Sequence, residues 1–321
     1  HVASTGGLWE SELAAQGIKH HKILDIDSKN PVTVLKLLFS IHQIIKQKGI
    51  TIVHTHHRMA AFYIRLLKFV YPKLTHVYTA HNVFKDKLPL YRFALKNAKS
   101  VAVGEAVNNN LKEDVGITDS KVIYNGVILK ETDNQVDDIV GYDGTKLGCI
   151  ARLSEQKGLT YLIEAMSLLT VKNIRLFIVG DGELRNELEN KVEELHLQDS
   201  VTFLGYRKDI VECINSFDFL ASSSLFEGLA LNIIEAFMNG KTMVATDIPG
   251  INEIVNDENG ILVPAKNPGA LAGAIDKLAT DVPLRNRLAF HAKKTYEERF
   301  SYSMFLENYR ELYREIQGEP K

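Results

Sequence analysis

Short apolar runs with β-forming composition alternate with longer amphipathic stretches along nearly the whole chain, and the alternation stops once and restarts. In the first half, strand-like runs fall at 2–4, 21–24, 51–54, 76–79, 100–103 and 121–124, with helical periodicity notably at 32–47, 57–70 and 105–115. The polar segment KETDNQVDDIVGYDG, 130–144, has no periodicity and reads as a linker. Strand runs resume at 146–151, 175–180, 201–204, 217–221, 243–246 and 260–263, with helices at 159–169, 183–195, 209–216 and 229–238. A helix between two strands returns the chain to the same end of a sheet, so this pattern makes parallel, doubly wound α/β layers. The expectation is therefore an α/β chain of two Rossmann-like domains, 1–129 and 146–300, joined by a linker at 130–145. Residues 301–321 are expected to form a helix returning to the first domain. In such a pair the carboxyl ends of both sheets face a shared cleft, where ligands bind.

Composition narrows the function classes. At 321 residues, 45% hydrophobic and 24% charged, the chain is globular and large enough for two cores. Its most apolar helical stretch, 32–45, is interrupted by Lys36, His42 and Gln43 and is too polar for a membrane span. Cys149 and Cys213 lie inside apolar runs and read as buried thiols in a reducing, cytoplasmic setting. The net charge of −2 conceals thirteen Lys and Arg between Lys29 and Lys99 against a single acidic residue, Asp86. No nucleic-acid recognition motif accompanies them, so no nucleic-acid partner is expected. Basic stretches interleaved with aromatics point to an anionic membrane surface and a peripheral location on the inner face of the plasma membrane. A solvated basic face is the plainer alternative.

Three segments carry candidate chemistry. In SSSLFEGLALNIIEAFMNG, 222–240, a strand ends in a serine-rich loop and a helix is expected to start near Gly228. Glu227 and Glu235 are then about 12 Å apart along the helix axis at roughly 1.5 Å per residue. That matches the reach from a transferred sugar to the ribose of a sugar nucleotide, and carboxylates accept readily from paired hydroxyls. The N–H groups of Gly228, Leu229 and Ala230 are expected to face phosphate or hydroxyl oxygens. In CIARLSEQKG, 149–158, Arg152 and Lys157 share one loop and suit a diphosphate leaving group. In FIVGDGELR, 177–185, Gly180 and Gly182 lack the third glycine of a dinucleotide fingerprint. Taken singly, each motif is as well explained by a turn carboxylate, a surface ion pair or a tight turn.

Together, ARLSEQKG, IVGDGELR, VTFLGYRKD, SLFEGLALNIIEAF and MVATDIPGINEIV resemble retaining glycosyltransferase family four, with its two-glutamate signature at Glu227 and Glu235. The resemblance spans nearly the whole chain and implies the GT-B fold. It implies that Arg152 and Lys157 clamp the donor diphosphate and that Gly182 lies at the donor. Glu227 and the amides of Gly228, Leu229 and Ala230 would hold the sugar, Glu235 would bind the ribose, and 203–207 would lie near the base. In TIVHTHHRMAA and HVYTAHNVF it implies that His81 approaches the donor sugar. The expected reaction is transfer with retention from a nucleoside diphosphate sugar, UDP-linked, to a lipid-linked or glycan hydroxyl in cell-surface polysaccharide or glycolipid synthesis. No cofactor and no metal are expected.

Family members place a strand, a glycine-rich loop and a helix ahead of the segment resembling residues 1–17. About one β–α unit, roughly thirty residues, is therefore expected to be missing upstream. Other readings stay open: a nonhydrolysing UDP-sugar epimerase, a noncatalytic nucleotide-sugar-binding module and, more remotely, a nicotinamide dehydrogenase. His54, His56, His57 and His81 raise a metal site, but no carboxylate or thiol completes it. Asp25 and Asp27 resemble a metal-binding DxD and read instead as a loop at a strand end.

Overall fold

A computed structural model describes residues 1–7, 9–128 and 132–318. Contacts divide the chain into two compact units, His1–Ala102 with Asn108–Val122, and Val103–Val107 with the chain from Ile123 onward. The expected domain boundary at 129–130 and the end of the expected C-terminal helix at 319–321 lie outside the described residues.

In the first unit, β3 (Ile52–Thr55), β4 (Thr75–Ala80), β5 (Lys99–Ala102) and β6 (Ser120–Val122) form a parallel sheet in chain order. A separate parallel pair joins β1 (Val2–Ser4) and β2 (His20–Lys22). The expected parallel α/β architecture holds, with the strands of the first unit divided between two sheets. Among the described residues no strand bridges β1 and β3, each of which pairs on one side only. The helix Pro31–Lys48 starts where the Asn30 side chain accepts from Val32 and Thr33 N–H, with Pro31 in the first turn, and ends at the left-handed Gly49. Its buried side, Leu37 and Ile45, faces inward.

The second unit holds a six-stranded parallel sheet. In chain order its strands are β7 (Thr145–Ile150), β8 (Ile174–Val179), β9 (Val201–Gly205), β10 (Phe219–Ser222), β11 (Met243–Thr246) and β12 (Ile261–Val263). Their spatial order is β12-β11-β10-β7-β8-β9. β10 and β11 are buried at every position, as strands covered on both faces must be. Gly148 in β7 is required by packing: a Cβ there would stand 2.1 Å from the Phe217 ring. That ring stacks on Phe177 at 6.2 Å between centroids. The final helix, Tyr302–Gln317, follows a bridge between Ser301 and Val127, and Tyr296 donates to the Val127 carbonyl at 3.0 Å. The segment it meets, just past β6, clusters with the second unit.

Candidate active site

The order of the second sheet creates one special place. The chain runs from β7 to β8 to β9 on one side, then crosses back to lay β10 on the other side of β7. β7 and β10 therefore stand side by side at a topological switch point, the place where open α/β sheets hold their ligands. The loops at 151–158 and 223–230 leave those two ends.

Those loops are stitched together. Leu225 N–H donates to the Gln156 carbonyl at 2.8 Å, Ser223 Oγ to the Lys157 carbonyl at 2.9 Å, and Gln156 Nε2 to the Phe226 carbonyl at 2.9 Å. Gly158 sits at φ +56°, and a Cβ on it would lie 2.4 Å from the Ser223 carbonyl oxygen. From the other side Thr246 Oγ1 donates to the Ser224 carbonyl at 2.6 Å. Glu227 closes the arrangement. Its Oε1 receives Lys157 Nζ at 2.5 Å and Ser224 Oγ at 2.8 Å, and its Oε2 receives Gln156 Nε2 at 3.3 Å. The Glu227 side chain is only 7% exposed, so these donors replace water that burial removes.

The structure thus brings Lys157 and Glu227 together. Arg152 leaves the same loop but turns outward, 72% exposed, and bonds Glu183 Oε2 at 3.0 Å. Gly182 shapes that loop: a Cβ would lie 2.4 Å from the Leu153 carbonyl oxygen, and its N–H donates to Asp181 Oδ1 at 2.8 Å. Tyr206, in the segment expected near a base, is 74% exposed just past β9.

The helix after Glu227 starts later than the sequence suggests, at Leu231, and runs to Met238. Gly228, Leu229 and Ala230 precede it, so Glu227 and Glu235 do not lie on one continuous helix. The cause is tertiary. Ala230 N–H is drawn to the Gly250 carbonyl at 3.3 Å, and Asn232 Nδ2 ties the helix start to the Ile150 carbonyl at 2.9 Å. Gly250, at φ +87°, packs against the Glu227 carbonyl, 2.6 Å from where a Cβ would stand. Of the three amides expected to be free, Ala230 is therefore engaged, while Gly228 and Leu229 meet no partner among the described residues. The Glu235 backbone carbonyl accepts from Asn239 Nδ2 at 2.8 Å, but its carboxyl meets no hydrogen-bond donor among the described residues, and desolvation pushes that carboxyl up to about 7. Sequence reasoning missed Gln156, Ser224 and Glu183. All three lie inside motifs already singled out, and for the first two an amide and a hydroxyl next to a buried carboxylate are a usable signal.

His81 stands in the first unit, one residue past β4. Its Nε2 lies 3.0 Å from His56 Nδ1, and the His56 ring stacks on His54 at 4.4 Å. Burial lowers His81 and His56, with the His56 charge adding to the effect on His81, and takes His54 down to about 3. These imidazoles are neutral at pH 7. His57 caps the helix Arg58–Leu67 by accepting from Met59 N–H, and Asp25 accepts from Asp27 N–H within a turn. Among the described residues no group of three His, Cys, Asp or Glu is arranged to hold a metal ion.

The two parallel-sheet α/β units have the GT-B fold, which the chain shares with solved glycosyltransferase structures. Residues 1–131 match the family described as Glycosyltransferase Family 4, and residues 140–295 match Glycosyl transferases group 1. The chain belongs to the glycosyltransferases built from these two modules. It is 31% identical over 216 residues to an uncharacterised glycosyltransferase of Methanocaldococcus jannaschii, a match covering 61% of this chain and 55% of that protein. The chain thus spans little more than half the length of that curated relative. Among solved structures it is similar to a glycosyltransferase from Rickettsia africae, with a TM-score of 0.84 and 26% identity, covering 98% of this chain and 89% of that one. The Anabaena protein HepE in complex with UDP has the same fold, with a TM-score of 0.86 at 22% identity, covering 96% and 90%.

Proposed function

We propose that this chain moves a sugar from a nucleoside diphosphate donor, UDP-linked, to a hydroxyl of a lipid-linked or glycan acceptor, retaining configuration at the anomeric carbon. The observation that carries the reading is the Lys157–Glu227 pair at the switch point, followed in the chain by the two open amides of Gly228 and Leu229. An arriving diphosphate competes with Glu227 for Lys157 and with Glu183 for Arg152, which frees the Glu227 carboxylate to accept from sugar hydroxyls. The Gly228 and Leu229 N–H groups offer donors to sugar or phosphate oxygens. Glu235, half-buried and with no donor to its carboxyl among the described residues, accepts from the ribose hydroxyls. That HepE has been seen with UDP supports the donor class.

In the transfer itself, the bond from the anomeric carbon to the diphosphate oxygen breaks and a bond to the acceptor oxygen forms on the same face. The acceptor proton passes to the departing diphosphate, so the chain supplies no general base. Lys157 and Arg152 meet the charge that develops on the leaving group, and no metal enters the reading. His81, neutral at pH 7, is assigned to the donor sugar on the family resemblance. The reading includes a cytoplasmic site of action, peripheral to the plasma membrane, and a role in cell-surface polysaccharide or glycolipid synthesis.

Nucleotide release from a panel of sugar nucleotides, with and without lipid-linked acceptors, tests this. Glu227→Ala and Lys157→Ala are each expected to lower acceptor-dependent release by roughly a hundredfold or more, with the far-UV circular dichroism retained. Wild-type rates in either variant, or acceptor-independent isomerisation of the donor, overturn the reading.

A further inference from the structure

Charge is strongly segregated along this chain. Between Lys29 and Lys99 there are thirteen Lys and Arg and one acidic residue, whereas the remaining positions carry 25 basic and 39 acidic residues. The one acidic residue, Asp86, is already engaged by Arg58 at 2.8 Å. The whole basic stretch lies in the first unit.

The same stretch exposes large apolar side chains in a connected strip. On the helix Pro31–Lys48, Val32, Leu35 and Phe39 are 59%, 67% and 63% exposed. Steps of three and four place them on one face, with Lys36 among them, opposite the buried Leu37. The Phe39 ring lies 6.4 Å from that of His42, and His42 Nδ1 meets the Tyr71 hydroxyl at 2.9 Å. Just before Tyr71 in the chain, Phe69 and Val70 are 70% and 61% exposed. The Arg65 guanidinium then lies 5.2 Å from the Phe69 ring and 5.3 Å from that of Phe93, which carries the strip onto the helix Leu88–Leu95.

Exposed aromatic and aliphatic side chains rimmed by Lys and Arg, with no free carboxylate in that stretch, have the chemistry of a bilayer interface: acyl chains accept the rings, and lipid phosphates meet the cations. No helix among the described residues is long and apolar enough to cross a membrane, so such a contact is peripheral. We propose that this strip docks the first unit on an anionic phospholipid surface, with Leu35, Phe39 and Phe69 entering the acyl boundary and the exposed Lys36 and Lys96 facing the headgroups. The docking is independent of which donor the second unit holds.

Co-sedimentation of the full chain with vesicles of phosphatidylcholine alone, or mixed with phosphatidylglycerol, tests this. Binding is expected on the anionic vesicles, weakening in high salt. Lys36→Glu with Lys96→Glu lowers partitioning roughly tenfold or more. Phe39→Ser with Phe69→Ser removes the part that survives salt, while UDP affinity is unchanged in both variants. All four positions are exposed, and thermal melting confirms folding. Equal binding to neutral vesicles, no binding, or binding indifferent to these substitutions overturns the proposal. So does concentration-dependent self-association in sedimentation velocity that Phe39→Ser abolishes, which would assign the strip to a second copy.

Discussion

Glu227 and Glu235 are eight residues apart and live in opposite surroundings. Glu227 is met by an ammonium, a hydroxyl and an amide, while the Glu235 carboxyl meets none among the described residues. Because burial raises the Glu235 carboxyl from 4.5 to about 7, the native state holds its proton through a pH window where the unfolded chain has lost it. Stability from this group is therefore lost as pH rises between those values, by at most about 3.5 kcal/mol at about 1.4 kcal/mol per unit. Glu235→Gln is expected to match the wild type near pH 4.5 and to exceed it by up to that amount near pH 8 in urea unfolding. An equal difference at both pH values counts against the assignment. Both glutamates were legible in the sequence as a spacing. Their contrast was not, because two of the donors that meet Glu227, Gln156 and Lys157, come from the β7 loop some seventy residues earlier, and no such donor reaches the Glu235 carboxyl.

At the scale of elements, nearly every strand was readable, since apolar runs bounded by glycine and polar residues have few other uses in a doubly wound domain. The start of the Leu231–Met238 helix was misplaced; the residues before and at it are held by other parts of the fold, Ala230 N–H by the Gly250 carbonyl and Asn232 Nδ2 by the Ile150 carbonyl. Glycines carry the same lesson. Gly180, at φ +135°, has the Ala151 carbonyl oxygen 1.9 Å from a would-be Cβ, whereas Gly205, at φ +68°, has open space. Gly205→Ala is expected to cost about 1 kcal/mol, the penalty of a left-handed alanine. Gly180→Ala adds a backbone collision that cannot relax without moving the Arg152 loop. It should cost roughly 3 kcal/mol or more and weaken nucleotide binding with it. Guanidinium unfolding of the two variants separates them, and equal losses would contradict the packing described.

At the scale of the molecule, two contact units share one chain, and the proposed donor loops belong to the second. A ligand held only by the folded second unit stabilises it by about 2.7 kcal/mol at a hundred times its Kd. For a body of about 200 residues that corresponds to a rise of roughly 5–10 °C in Tm. UDP is expected to produce that shift in calorimetry, and Lys157→Ala to remove it; an unchanged shift in the variant would separate Lys157 from the diphosphate.

The sequence by itself determined the α/β class, the two-part plan, the segregation of charge and the residue types at the donor loops, because periodicity, punctuation and composition are local properties of a chain. Only the tertiary structure decided that Lys157 answers Glu227 while Arg152 answers Glu183, that no described donor reaches the Glu235 carboxyl, and that exposed rings join three elements into one strip. Those outcomes depend on which strand ends become neighbours and which side chains lose their water, and both are set by the strand order β12-β11-β10-β7-β8-β9 and the packing of helices rather than by distance along the chain.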